Sequence, residues 1–455
     1  MARCFLIIAV LVTTLGSAVC AQDAGSRQPG VWYEGRQLGY VPGHLRQATA
    51  PTPANRQMVA APQQLEAVQP ASYYEQEAFD SYPEPAINSS WDPPNCGYPA
   101  CCGPPPFWVR AELLSWWIDD MNLPALVTTS PLGTAANQAG VLGQPGTRVL
   151  FGNDDVNESP HLGGRFTFGR WLDPCESVGI ELSYFFVGQN NSNYSADNFD
   201  HSILARPVFS TQTMDQASML VAYPNLLNGS IDISASSRMQ GFDALTRWQM
   251  CNNPCSNWNF LAGYRYLSLN EQLLISQNSR FIAAQGNIVV GTEQRLFDSF
   301  ATDSQFNGAQ IGVSHSMQRC WWTIDTQVKL ALGNTHSQVD IDGRTRTTVP
   351  GGGSATFNGG LLAQQTNIGR HTHDELGFVP EFTLTARRDL GCNMQFLIGY
   401  NLIYWTGAAR LGNQIDTAVS QFPPEPAGGA GRPRFNSDTS GVLLQGLQLG
   451  LEARF

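Results

Sequence analysis

Charged residues are scarce in this sequence. Of its 455 residues, only 14% are Asp, Glu, Lys or Arg, whereas a soluble domain has about a quarter. The formal net charge is −11 and no basic cluster occurs, so nucleic acid is not an expected partner. Aromatic residues make up 10% of the chain, which argues against a disordered protein because disordered chains have few of them.

Long apolar runs are also missing after the N-terminus. A transmembrane helix needs about 18 or more apolar residues in succession, and no such run follows the first 21 residues. Hydrophobic residues still make up 42% of the chain, and the mean hydropathy is −0.19. The apolar residues are therefore dispersed, and the composition argues against a helical membrane protein.

The first 21 residues have the features of a secretory signal. Arg3 precedes a short apolar core, and small residues lead to an expected cleavage after Ala21. The alternative is a lipoprotein signal with Cys20 as the lipidated residue, which Val19 fits poorly. Residues 22–106 follow as a proline-rich stretch without hydrophobic periodicity, which predicts a flexible periplasmic segment.

From Phe107 onward, apolar and polar residues alternate, which is the period of a half-buried strand. In the first segment Val109 and Leu113 lie on one face, and Arg110 and Glu112 lie on the other. The alternating segments are 107–117, 162–168, 178–186, 243–250, 258–266, 309–314, 322–330, 378–387, 394–404 and 447–455. Two further strands within residues 276–306 would raise the count, so we expect about 10 strands, with a range of 10–14.

The connections between these segments differ strongly in length. Short turns occur at residues 172–176, 251–256, 318–321 and 389–393, and the other connections are long and rich in Gly, Asn and Ser. Short turns at one end and long loops at the other are typical of an outer-membrane barrel. Strand backbones can cross hydrocarbon only in a sheet that closes on itself. The sequence therefore predicts an all-β, antiparallel up-and-down transmembrane barrel at 107–455, with a secreted β-sandwich as the alternative.

The apolar strand faces are expected to contact outer-membrane lipid. An aromatic girdle is predicted from aromatic residues at strand ends, which are Trp116, Trp117, Trp171, Trp321, Trp322, Tyr404 and Trp405. The chain ends on an alternating strand with Phe455 as its last residue. This terminal aromatic resembles the signal that the barrel-assembly machinery recognises, so that machinery is an expected partner.

Charged residues on the opposite strand faces are expected to line the lumen. The positive set is Arg110, Arg165, Arg247, Arg265, Lys329, Arg387 and Arg454. The negative set is Glu112, Glu181, Asp243, Asp325, Glu381 and Glu452. These charges nearly balance, unlike the single-sign ring of an ion-selective pore. Because small barrels are filled by side chains, the predicted lumen is narrow.

The mature chain retains eight cysteines, an even number that suits disulfides in an exported protein. They are Cys96, Cys101, Cys102, Cys175, Cys251, Cys255, Cys320 and Cys392. All lie in or beside the short turns or just before the first strand, which places them on the periplasmic side. We expect disulfides between neighbouring turns, or from the proline-rich segment to the barrel base. Unpaired thiols are the alternative.

Other candidate sites carry weaker signals. His371 to Glu375 and Asn153 to Glu158 hold metal-ligand residue types, but both are interpreted as solvated outer loops. Gly351 to Ser354 lacks the Lys of a phosphate-binding loop. No nucleophile elbow or zinc-protease motif occurs. No metal, cofactor or catalytic residue is therefore predicted.

Several strings resemble the putative beta-barrel porin family seven. They include WVRAELLSWW (108–117), GGRFTFGRWLDPC (163–175), LAGYRYLSLNE (261–271), GYNLIYWTGAARLGNQID (399–416) and QGLQLGLEARF (445–455). The resemblance covers residues 107–455 and leaves out the proline-rich segment. It implies an outer-membrane β-barrel of diderm bacteria and says little about a substrate.

Two functions follow from these expectations. The first is a porin-like pore for passive diffusion of small polar solutes. The alternative is a non-conducting barrel that anchors the envelope or presents outer loops, and an outer-membrane barrel enzyme is a distant third. No interface is marked in the sequence, so both a monomer and a homo-oligomer remain open.

Overall fold

The structure is a computed structural model. It describes residues 106–119, 121–153, 160–253, 255–319, 321–425 and 430–455. The expected signal sequence, nearly all of the proline-rich segment, and Cys96, Cys101, Cys102 and Cys320 lie outside the described residues.

The described residues form strands, with one short 3-10 helix at Leu411–Gln414. The strands are β1 (Phe107–Ile118), β2 (Val127–Thr129), β3 (Arg148–Phe151), β4 (His161–Trp171), β5 (Val178–Asp197), β6 (Leu204–Ser210), β7 (Asp215–Ala222), β8 (Leu227–Asn253), β9 (Ser256–Phe281), β10 (Glu293–Arg319), β11 (Trp322–Val349), β12 (Gly353–Asn358), β13 (Gly369–Asp389), β14 (Met394–Ala408), β15 (Ala418–Val419) and β16 (Ser440–Arg454). Among the described residues, no helix is both long and apolar enough to span a bilayer.

Ten strands form a closed antiparallel ring. Its order is β1, β4, β5, β8, β9, β10, β11, β13, β14 and β16, and β16 pairs back with β1. At this seam the Phe107 amide donates to the Phe455 carbonyl at 3.1 Å, and the Phe455 amide donates to the Phe107 carbonyl at 3.0 Å. The predicted antiparallel ring of about 10 strands is confirmed. The two extra strands considered within 276–306 do not form, because this range comprises the end of β9, the connection at 282–292 and the start of β10.

Four tight turns lie at one end of the ring, where the sequence predicted them. They join β4 to β5, β8 to β9, β10 to β11 and β13 to β14. In the first turn the Asp173 carboxylate accepts hydrogen bonds from the Ser177 hydroxyl at 2.6 Å and the Val178 amide at 2.8 Å. These bonds, led by that from the Ser177 hydroxyl, hold the pKa of Asp173 below its usual value. We call this end of the ring the short-turn end.

Several barrel strands are far longer than their alternating segments predicted. Strands β8, β10 and β11 have 27, 27 and 28 residues, so much of what was expected to be long loop is strand. The cause is a reversal of the polarity pattern along each strand. On β9, outward Phe260 is 38% exposed and inward Arg265 is buried near the short turns, but farther along outward Asn270 is exposed and inward Leu273 and Ile275 are buried.

The segments between long strands fold back onto this second apolar surface. Strands β2, β3, β6, β7 and β15 form a second small sheet. Its Val127, Leu204 and Val208 share one core with Leu273 of β9 and Phe300 of β10. This packed region, which we call the cap, closes the end of the ring opposite the short turns.

The aromatic girdle is only partly as predicted. Trp117, Trp322 and Tyr404 face outward and are partly exposed. Trp116 and Trp405 point into the ring and are fully buried, so their assignment to the girdle was wrong. The residue before each of them faces outward. Because consecutive strand residues point to opposite faces of the sheet, Trp116 and Trp405 face inward.

Candidate functional site in the barrel lumen

A cavity of about 710 Å³ opens at the short-turn end of the ring. We call it the vestibule. Its wall combines tryptophan rings, ion pairs and amides, among them Trp108, Trp171, Arg247, Asn259 and Glu452. The cavity lies within the range of small-ligand pockets, about 300–1,000 Å³.

The four arginines in the vestibule wall are all ion-paired. Arg110 contacts Glu452 at 2.7 Å, and Arg454 contacts the same carboxylate at 2.8 Å. Two further pairs join Arg247 to Glu181 at 2.7 Å and Arg387 to Asp325. The vestibule therefore offers no arginine whose charge is left without a carboxylate.

A buried ion cluster lies above the vestibule, toward the cap. Arg265 Nε donates to Asp243 Oδ1 at 2.7 Å, and a second guanidinium nitrogen contacts Glu381. Lys329 Nζ lies 2.9 Å from Glu381 and 3.2 Å from Asp243. All four side chains are at least nine-tenths buried, so the two carboxylates are shared between two cations across the ring.

Arg165 and Glu112 complete this level of the lumen. They face each other in the register of β1 and β4. Arg165 donates to Gln448 at 3.2 Å, and its guanidinium carbon lies 5.2 Å from the centre of the Trp116 ring. The Glu112 carboxylate is buried and makes no hydrogen bond with the described residues.

Above the ion cluster the lumen becomes apolar. Inward side chains from several strands meet here, and their exposed fraction is 0% for Leu114, Trp116, Leu267, Phe306 and Trp405. The Trp405 indole N–H donates to the Thr335 hydroxyl at 3.1 Å, which satisfies its polar atom. This apolar layer leaves no water-sized opening beside those side chains.

A second pair of buried ions ties the cap to the barrel strands. Arg206 on β6 lies 2.8 Å from Asp298 on β10. The same carboxylate accepts hydrogen bonds from the backbone amides of Leu362 and Ala363 at 2.9 Å and 2.8 Å. One aspartate therefore holds two separate connecting segments against the inside of the ring.

The predicted lumen residues all occupy inward strand positions, but the structure divides them between two levels. Arg110, Glu181, Arg247, Asp325, Arg387, Glu452 and Arg454 line the vestibule, whereas Glu112, Arg165, Asp243, Arg265, Lys329 and Glu381 lie deeper. Trp108 was not predicted to line the lumen, and Trp171, which was predicted to belong to the lipid-facing girdle, points inward instead, so that assignment was wrong. Trp108 has the same parity as Arg110, so strict alternation was the signal that could have identified it.

The described cysteines lie in or beside the short turns of the ring. Cys255 and Cys392 belong to its lining. Cys175 and Cys255 carry free thiols, whereas Cys392 is disulfide-bonded. Cys251 is half-buried on β8.

The two weaker motifs do not gather around the lumen. His371 to Glu375 lie on β13, so the expectation of a loop there was wrong. His336 on β11 contacts Asp374 at 2.9 Å on the outer surface. No group of three or more metal-ligating side chains occurs in the described part of the chain. Most of the acidic stretch from Asn153 to Glu158 lies outside that part.

Comparisons with known proteins bear on the family. The family profile described as putative beta barrel porin-7 matches residues 108–455. Among proteins with curated descriptions, none matches this chain. Among solved structures, the outer membrane protease OmpT from Escherichia coli is 9% identical, with 79% of this chain and 100% of that chain covered and a TM-score of 0.38. The Pseudomonas putida toluene transporter TodX is 7% identical, with 77% and 90% covered and a TM-score of 0.21. Both likenesses are too distant to bear on activity.

Proposed function

Because this chain belongs to the putative beta barrel porin-7 family of outer-membrane β-barrels, we propose that it is an outer-membrane barrel whose lumen is closed to solutes. In this proposal the barrel anchors its long N-terminal segment to the membrane and presents the cap on the outer side. Of the two functions predicted from the sequence, this is the non-conducting one.

The observation that carries the proposal is the filled lumen. A solute entering the vestibule would meet the ion cluster of Asp243, Arg265, Lys329 and Glu381, and then the apolar layer around Phe306. Passage would require breaking buried ion pairs and moving tightly packed side chains. Protein interiors are packed as densely as organic crystals, so such a path does not open by small fluctuations.

Passive diffusion by a porin makes the opposite demand on the lumen. Barrels of 16–18 strands leave an aqueous channel, whereas those of about eight are filled by side chains. The described ring has ten strands and belongs with the filled class. Its vestibule reaches only part of the way through, which favours a closed barrel over a pore.

Planar-bilayer recording of the purified, refolded full chain tests this proposal. We expect no reproducible conductance steps, with a general porin inserted under the same conditions as the positive control. Folded protein can be verified by its heat-dependent mobility on denaturing gels. Steady, stepwise currents from the folded chain would contradict the proposal and restore the diffusion function.

Two further elements complete the proposal. We infer export after cleavage following Ala21, with the short-turn end facing the periplasm as in outer-membrane barrels. We also infer that the disulfide of Cys392 at the vestibule joins it either to a neighbouring turn or to the cysteines of residues 96–102, the two arrangements predicted from the sequence. Membrane fractionation and mass mapping of the unreduced protein test these points, and eight alkylatable thiols would refute the second.

A further inference from the structure

The vestibule contains polar atoms that are buried but have no partner among the described residues. They are the Oδ1 atoms of Asn257 and Asn259 and the Nε atom of Arg247. Asn259 is 2% exposed, and all three side chains belong to the vestibule wall. An unpaired buried polar group is destabilising, so we interpret these atoms as hydrogen-bonding groups for a ligand.

The side chains of Asn259 and Arg247 are also engaged through other polar atoms, which fixes their orientation. Asn259 Nδ2 donates to the Ser314 hydroxyl at 3.4 Å. Arg247 Nη2 donates to Glu181 at 2.7 Å. The wall thus presents amide oxygens that accept and one guanidinium N–H that donates, and a hydroxyl group matches both because it can donate and accept.

Two tryptophan rings face the same cavity. The Trp108 and Trp171 ring centroids are 5.5 Å apart and inclined at 49°, and the Arg247 guanidinium carbon lies 6.0 Å from the Trp108 ring centre. Both side chains point inward, away from the lipid face where aromatic residues of a barrel are usually found. Indole rings in a polar cavity offer flat apolar surface beside hydrogen-bonding groups.

The paired arginines of the vestibule select against an anionic ligand. Each of its arginines is ion-paired with a carboxylate on the same wall. An anionic ligand would have to separate one of these pairs, whereas a neutral ligand leaves them intact. The amide oxygens and the guanidinium N–H suit a ligand with many hydroxyl groups, and the indole rings suit one with apolar ring faces. A neutral ligand of this kind also leaves the ion pairs intact.

From this geometry we propose that the vestibule binds a neutral saccharide from the short-turn side. This inference rests on the proposed closed barrel only for the side of entry. The saccharide could be an amino-sugar chain, as in a cell-wall glycan, or a free glucan, since both present hydroxyls and ring faces. The two sources are distinguished by the test.

Calorimetric titration of the full chain in detergent tests the site. The probes are tetra-N-acetylchitotetraose and maltotetraose, with tetraalanine as a zwitterionic control. We expect one of the saccharides to bind with a dissociation constant of about 1 mM or lower, and tetraalanine not to bind. Binding of the amino-sugar probe alone would indicate a cell-wall source, and binding of maltotetraose alone a free glucan.

Variants locate the binding. Asn259→Ala should weaken saccharide binding about fivefold, because a lost hydrogen bond is worth about 1 kcal/mol, and Trp171→Ala should weaken it by a similar factor because it removes an indole face. Asn278→Ala, on the exposed outer face of the same strand, is the matched control and should bind like the parent. Trp171→Phe retains a ring and should recover part of the affinity, even where Asn259→Ala fails to fold.

The proposal is overturned if neither saccharide binds, if tetraalanine binds as well as they do, or if the vestibule variants bind like the parent. These outcomes are separate from the conductance test. A conducting barrel that still binds saccharide would refute the closed lumen alone, and a closed barrel without binding would refute the saccharide site alone.

Discussion

Arg206 and Asp298 form an ion pair at 2.8 Å, with side chains that are 1% and 0% exposed. The pair joins a connecting segment to a barrel strand. Asp298 also accepts two backbone hydrogen bonds from Leu362 and Ala363. The attachment of the cap therefore depends on a charge that has no access to water.

Replacing Arg206 should release the cap. Arg206→Met leaves the Asp298 carboxylate buried without its cation, which should cost about 3–5 kcal/mol. We expect faster cleavage within residues 198–226 and 350–368 in limited proteolysis, while the ring keeps its heat-dependent gel mobility. Arg206→Met with Asp298→Asn should restore part of the resistance, because the amide oxygen still accepts the backbone bonds. Equal cleavage of parent and single variant would contradict the role of this pair.

The ion cluster in the lumen should stabilise the ring itself. Arg265→Met removes the cation shared by Asp243 and Glu381, so we expect a loss of about 3–5 kcal/mol in the free energy of unfolding. Urea unfolding in lipid vesicles measures it. Arg280→Met, on the exposed face of the same strand, is the control and should change stability by less than about 0.5 kcal/mol. Similar losses in the two variants would refute the cluster's contribution.

The turn between β4 and β5 should make a pH-dependent contribution to the stability of the folded protein. Hydrogen bonds from Ser177 and Val178 lower the pKa of Asp173. A lowered folded-state pKa means that the stabilisation is complete above the unfolded value of about 3.9 and is lost as the pH falls through the folded value. The difference in urea midpoint between the parent and Asp173→Asn should thus be constant near neutrality and shrink below about pH 4. A difference that grows on acidification would contradict this sign.

The cysteines should differ in reactivity. Maleimide added to unreduced, folded protein should label Cys175 and Cys255, whose thiols are free and exposed. Cys392 is disulfide-bonded and should react only after reduction. Peptide mass mapping before and after reductant distinguishes the sites. Labelling of Cys392 without reductant would contradict the bond.

The barrel could be predicted from sequence because lipid imposes a simple rule on strands. One face of every membrane strand must be apolar. Apolar residues such as Phe260 and Leu449 therefore occupy every second position, and this alternation identifies the strand. The short turns at 172–176 and 389–393 then indicate which end of the barrel has the tight strand connections. These signals are local, and local signals are readable in a single sequence.

The cap and the closed lumen could not be predicted in the same way. Beyond the lipid band the apolar face of β9 changes from outside to inside, as Asn270 and Leu273 illustrate. Apolar and polar residues still alternate there. Whether the apolar residues face outward or inward depends on loops, distant in sequence, that cover the inner face. The ion pairs of Arg265 likewise join strands that are not adjacent in the sequence, and their geometry follows only from ring closure.

The lumen layer at the level of Arg265 has an electrical consequence. Its cations are Arg165, Arg265 and Lys329, and its carboxylates are Glu112, Asp243 and Glu381, so their formal charges cancel. A potential of 100 mV acts on one elementary charge with about 2.3 kcal/mol, but it exerts no net force on a layer without net charge. A voltage across the outer membrane therefore does not displace this layer as a whole.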